Sequence, residues 1–296
     1  MLMNRVFEPS PDQIIYHYCS AQTFDAILKS RTLRFSDINM MNDAYETSWG
    51  YSAFEEAATR LIKRIGVSDS APIIGTDFFN SVDSILSPVQ LIAHPFISCF
   101  SLENNSLGQW RAYADDGRGF AIGFKASHLK DLGVTMLSVE YDREEQIKEI
   151  IVALCAIHLH CNGDPDSSPK IFFEDCALLG TYMVALKHHA FTEEQEIRCV
   201  RAVKTVTDNN SIRFADPGGE TSTGQQIEGR PIQFTIRDNH FCASLDLPFS
   251  FTTDTHPIAE IVMGPKNFSA PGNIACYLGG LGLTNIKLKQ SDSPYR

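Results

Sequence analysis

The stretch Phe191-Thr192-Glu193-Glu194-Gln195-Glu196-Ile197-Arg198-Cys199-Val200 alternates charged and apolar side chains in its second half. In an extended chain, side chains at i, i+2 and i+4 point to one side. The spacing therefore predicts a strand with Glu194, Glu196 and Arg198 on one face and Gln195, Ile197 and Cys199 on the other. The plainer reading is a half-exposed strand whose ion pair contributes less than about 1 kcal/mol. The sharper reading is the acidic wall of an active site.

Outward from this segment, helix and strand patterns are mixed. Before it, Arg143 to Cys161 and Ile171 to His189 have helical periodicity, separated by the breaker NGDPDSSP. After it, Asp208 to Arg230 is polar and rich in Gly, Ser and Thr, which predicts a flexible loop or hairpin excursion. Strand-like runs occur at Ile14 to Cys19, Thr32 to Ser36, Phe96 to Ser101, Phe120 to Phe124, Ile258 to Gly264 and Asn285 to Leu288. Helical patterns cover Ser20 to Ser30, Ser52 to Ile65, a short turn through Trp110 and Tyr113, and Ile274 to Leu281. Without regular βαβ alternation, this order predicts an α+β fold, a single mixed-sheet domain flanked by helices. That domain spans residues 1–296, with a helical insertion at about 143–190 and a polar loop at about 207–230.

Bulk properties narrow the function classes. With 43% hydrophobic and 21% charged residues, the chain has the composition of a soluble globular protein. No apolar run approaches the roughly 20 residues of a membrane-spanning helix, and MLMNRVFEPSPD lacks the apolar core of a secretory signal. Eight scattered cysteines in mostly apolar surroundings point to reduced thiols and a cytoplasmic location. A net charge of −11 repels polyanions, so non-specific nucleic-acid binding is disfavoured. No metal is expected, because on a helix Cys155 and His158 share a face while His160 and Cys161 point elsewhere. No phosphate-binding glycine loop, serine elbow or locally activated cysteine is present.

The ordered motifs resemble a widespread bacterial family carried as a domain of unknown function. They are Tyr16-His17-Tyr18, Leu33 to Ser36, Asn42-Asp43-Ala44-Tyr45-Glu46, Cys99 to Ser101, Trp110 to Asp115, Gly119 to Phe124, Glu194 to Arg198, Gly264-Pro265 and Ser291 to Arg296. Together they span nearly the whole chain. The arrangement is also distantly similar to the ADP-ribosyltransferase superfamily, which places a histidine on a first core strand and a glutamate on a later one. Such folds act on NAD, used as a substrate. Breaking its bond to nicotinamide passes through an oxocarbenium-like transition state that a fixed carboxylate stabilises.

The resemblance implies specific roles. Glu196 would stabilise the transition state, and Glu194 would position or deprotonate the acceptor. His17 would hydrogen-bond a ribose hydroxyl, beside Tyr18 and with Ser36 or Tyr113 on the second element. Trp110 or Tyr113 would stack on nicotinamide, and Arg198 would hold a carboxylate or the pyrophosphate. Asn42, Asp43 and Glu46 would support the site, and a tail folded back would bring Arg296 to it. The partner would be a nucleotide-type small molecule, with the acceptor unspecified, in a toxin or phage-defence setting. The competing reading is a non-catalytic nucleotide or partner sensor, with nucleic-acid processing behind it. From the residues alone, His17 reads as a core histidine bonded to backbone, and Trp110 with Tyr113 as a core-filling pair.

Overall fold

A computed structural model describes residues 5–38, 46–208, 211–237, 239–249 and 256–295, apart from the side chains of 46–47 and 88–93. The expected roles of Asn42, Asp43, the Glu46 side chain and Arg296 lie outside the described residues. The fold is α+β, one large mixed sheet flanked by helices.

The chain begins with β1 (Ile14–Cys19), α1 (Ala21–Ser30) and β2 (Thr32–Asp37). Ser20 caps α1 by accepting from the Thr23 N–H at 3.2 Å, and Phe24, Ile27 and Leu28 form its buried stripe. Arg31 ends it in the left-handed region, its N–H returning to the Ile27 carbonyl. Helices α2 (Glu46–Lys63) and α3 (Thr76–Ile92) precede β3 (Ala93–Ser101), then come α4 (Leu107–Tyr113) and β4 (Phe120–Lys125). A short α5 (Ala126–Leu129) and β5 (Thr135–Ser138) lead to α6 (Arg143–His160) and α7 (Pro169–Met183). A 3-10 turn, His189–Glu194, feeds β6 (Glu196–Asp208). The remaining elements are β7 (Ser211–Ala215), β8 (Gly219–Glu220), β9 (Gln226–Ile227), β10 (Gln233–Arg237), β11 (His240–Pro248), β12 (Ile258–Met263), α8 (Pro271–Gly280) and β13 (Lys287–Gln290).

Strand order along the main path is β10-β11-β2-β3-β1-β4-β12-β13, and β6 joins on β3 while carrying β5 and β7. One face buries Ile15, Phe35, Phe100, Ile122, Phe124, Ile197, Cys199 and Leu245 in the larger core, which α1 helps to cover. On the other face, α2, α3, α6 and α7 pack over Ile97, Leu137 and Val200. Further along that face, fully buried Trp110 covers Tyr16, Tyr18 and Ala121. Between these two apolar clusters, register leaves a polar strip at the end of β3, where Ser101 lies opposite both Tyr16 and Glu196.

Several expectations hold, and others change. The helical segment at about 143–190 is the pair α6–α7, which completes a helical layer with α2 and α3. The polar stretch after Asp208 contains a hairpin excursion, since β7 pairs with β6 and β8 with β9. The α3 segment lacks a helical assignment from sequence because TDFFNSVDSILSPVQLI carries serines, two aspartates and a proline that weaken the pattern. The β10–β11 hairpin also escapes sequence reading, although Phe241, Ala243, Leu245 and Leu247 repeat at period two. The tail does fold back: the Tyr295 hydroxyl donates to Asp116 at 2.5 Å, and the Lys266 ammonium sits 3.8 Å from the Tyr295 ring centroid. Among the described residues no helix is long and apolar enough to cross a membrane.

Gly119 lies immediately before β4, where three backbones converge. A Cβ there would lie 2.1 Å from the Cys19 carbonyl oxygen and 3.0 Å from that of Ala114. Gly119→Ala is expected to destabilise the fold by at least about 2 kcal/mol, read as a lower urea midpoint with an unchanged slope.

Candidate functional site

The acidic pair is assembled differently from a single alternating strand. Glu194 closes the 3-10 turn, and Gln195 takes a left-handed conformation with φ 42°, so β6 begins only at Glu196. The turn re-aims Glu194, and both carboxylates converge on Lys187, a residue that sequence reasoning missed. The Lys187 ammonium donates to Glu194 Oε2 at 2.6 Å and to Glu196 Oε2 at 3.1 Å. Arg198 donates through Nε to Glu196 Oε1 at 2.9 Å and through Nη2 to Oε2 at 3.1 Å, while Nη1 reaches the Val184 carbonyl.

Hydroxyls complete the cluster. The half-exposed Tyr113 donates to Glu194 Oε1 at 3.1 Å. The Tyr141 hydroxyl accepts the Glu196 N–H at 2.9 Å, and Ser101 Oγ donates to the Glu194 carbonyl at 2.7 Å. The Lys187 ammonium also lies 4.8 Å from the Phe191 ring centroid. All four charged side chains are buried, with Arg198 only 1% exposed. Burying unpaired ions costs several kcal/mol each, so two carboxylates against two cations is the composition such a site requires.

The two carboxylates are electrostatically unequal. Burial would raise Glu196, but Arg198 and Lys187 outweigh it and hold its pKa down at about 2. For Glu194, burial prevails over Lys187, and the nearby Glu196 charge adds to it, so its pKa is raised. Tyr113 and Tyr141 are also raised, first by burial and then by these carboxylates, which keeps both phenols protonated.

Four expected site residues are not brought to this pair. Register puts Glu196, Ser101 and Tyr16 on one face of the sheet, whereas His17 lies opposite Ile122 on the other and packs against Phe100 at 5.6 Å. His17 Nδ1 is 2.9 Å from the Cys99 carbonyl, so it carries the proton, and burial lowers the imidazole pKa. The core reading of His17 is the one the structure supports. Ser36 lies in the row of Ile97 and Val200, four residues or about 13 Å along β6 from Glu196. Trp110 is fully buried, donating to Asn105 at 2.8 Å with Tyr18 against it at 4.7 Å, so neither ring face is open for stacking. The Tyr18 hydroxyl is occupied by the Glu103 carbonyl at 2.7 Å and the Ser106 N–H. Tyr113, Glu194, Glu196 and Arg198 do come together. No group of three or more His, Cys, Asp or Glu side chains suited to a metal ion occurs among the described residues.

Residues 109–199 match a family described as a protein of unknown function, DUF2971. The matched segment contains Tyr113, Tyr141, Lys187, Glu194, Glu196 and Arg198. No curated protein and no solved structure matches the chain.

Carboxyl-carbon NMR titration is expected to place Glu194 above and Glu196 below the ordinary glutamate range. The signs for stability are opposite. Glu196 stabilises the fold above the unfolded glutamate pKa, and that share is lost as pH falls towards about 2. The Glu194 share is present at low pH and is lost as pH rises through its raised value. Lys187→Met leaves the carboxylates without their shared cation; it is expected to cost about 3 kcal/mol in denaturant unfolding and to raise Glu194 further.

Proposed function

We propose that this chain carries out ADP-ribosyltransferase-like chemistry on NAD at the Glu194–Glu196 pair. The observation that carries the reading is the convergence of two buried carboxylates on one ammonium, in surroundings that drive their pKa values apart. Neighbouring acids driven apart in pKa can divide the work of charge stabilisation and proton transfer. Glu196, held ionised, supplies fixed negative charge for an oxocarbenium-like ribosyl cation. Glu194, with its raised pKa and its contact to half-exposed Tyr113, accepts the proton of the attacking group. In balance, the ribosyl C–N bond breaks with its electron pair leaving on nicotinamide. The acceptor bonds to the ribosyl carbon, and its proton passes to Glu194. Tyr113 replaces Trp110 as the aromatic available to the base, and His17 has no part in the step. A cytoplasmic toxin or defence effector is the setting in which such an activity would serve.

A second reading has its own observation. Both oxygens of Glu196 are already taken by Arg198 and Lys187, a closed network suited to a rigid binding wall without turnover. One experiment separates the two. The purified protein is incubated with adenylate-labelled NAD and bacterial lysate, following nicotinamide release and label transfer. Wild type is expected to release nicotinamide, with Glu194→Gln and Glu196→Gln slowed at least about 100-fold. Equal rates in all three proteins would sink the transferase. A melting-temperature rise with NAD but no nicotinamide release would establish the sensor instead.

A further inference from the structure

Strand β10 ends the main sheet path and, among the described residues, is hydrogen-bonded only to β11. All five of its residues are exposed. Phe234 and Ile236 share a face, and the register places them opposite Ala243 and Phe241. Along β11 that face continues inward through Ala243, Leu245 and Leu247, which belong to the larger core. The core's apolar stripe therefore runs out into solvent, where Phe234 is 60%, Ile236 70% and Phe241 74% exposed. Phe214 of β7 stacks on Phe234 at 6.1 Å, and Ile212 extends the same apolar surface at 76% exposure. Native edge strands are usually blunted by lysine, proline or an inward-pointing charge. The β10 sequence QFTIR has none of these, with its one charge at the end and on the opposite face from Phe234 and Ile236.

We propose that β10 pairs antiparallel with β10 of a second copy of this chain, about a two-fold axis at Thr235. Self-complementarity argues for this occupant. In that register Phe234 faces Ile236 of the second copy, Thr235 faces itself and Arg237 faces Gln233. No like charges meet at the seam, which matters for a chain of net charge −11. The two sheets become one, and the apolar faces lie on the same side because the axis is perpendicular to the sheet. Size supports it as well. With a covered aromatic burying about 150–250 Å², the exposed side chains and strand edge give on the order of 500 Å² per copy. The symmetric pair then covers on the order of 1,000 Å², where specific interfaces begin. A closed two-fold contact also removes the open edge that would otherwise propagate.

Sedimentation equilibrium of the full chain over a wide concentration range is the first test, with dimer expected. Ile236→Asp is expected to shift it to monomer at the same concentrations, with its circular dichroism and melting temperature kept. The register is tested by Thr235→Cys, made with Cys242→Ser and Cys276→Ser. These are needed because Cys242 lies opposite Thr235 within the hairpin and Cys276 is exposed. Mild oxidation is expected to give a disulfide-linked dimer, and Gln233→Cys in the same background is expected to give none. A wild type that stays monomeric throughout overturns the proposal. So does a dimer that persists in Ile236→Asp, or one that the Thr235→Cys variant fails to cross-link.

Discussion

Strand β3 has all nine of its residues paired to β6 on one edge, while its other edge is divided between β2 and β1. This division is the constraint on which the remaining arrangement depends. It joins the half-sheet of β2, β11 and β10 to that of β1, β4, β12 and β13. At its far end it brings Ser101 beside Tyr16 and Glu196. Helices α2, α3, α6 and α7 cover one part of that face and Trp110 covers another, so the polar strip between them has helices and aromatics for walls. The candidate site exists because neither apolar cluster extends over the end of the β3–β6 ladder.

Burial of so many charges there follows a consistent electrostatic logic. Arg198 is among the largest fully buried side chains, and its guanidinium is neutralised by Glu196 through two parallel hydrogen bonds. Lys187 balances Glu194 and part of Glu196, the Tyr113 hydroxyl donates to Glu194, and the Val184 carbonyl accepts from Arg198. Apolar residues of equal volume often serve stability as well as a buried ion-pair network does, so such a network is weak evidence of a stabilising role. Here both carboxylates are paired with buried cations, and their pKa values are driven in opposite directions.

Much of the architecture is readable in local signals. Ser20 with Phe24, Ile27 and Leu28 announces α1, and Asp142 caps α6 by accepting from Glu145. The alternation in IIYHYC shows in the partition of Ile15 and Cys19 to one core and Tyr16 and Tyr18 to another. At the site, the sequence points to Glu194, Glu196, Arg198 and Tyr113, and they meet. It points equally to His17, Tyr18, Ser36 and Trp110, and they do not join them. Period-two reasoning places residues on faces within one strand but does not say which face of β1 continues which face of β6. The intervening pairing through β3 settles that, and it sends His17 to the side of Phe100.

By itself, the sequence determined the mixed α+β character, most strand and helix positions and the presence of an acid-rich segment before a core strand. Those properties depend on neighbours within a few residues, where propensity, capping and periodicity act. Only the tertiary structure decided that Lys187 would bridge Glu194 and Glu196, that Gln195 would turn left-handed to let it, and that Tyr141 would close the cluster. Those contacts join separate elements, and chain register, packing and the cost of an unpaired buried charge select them together. None of these terms can be evaluated along the chain alone.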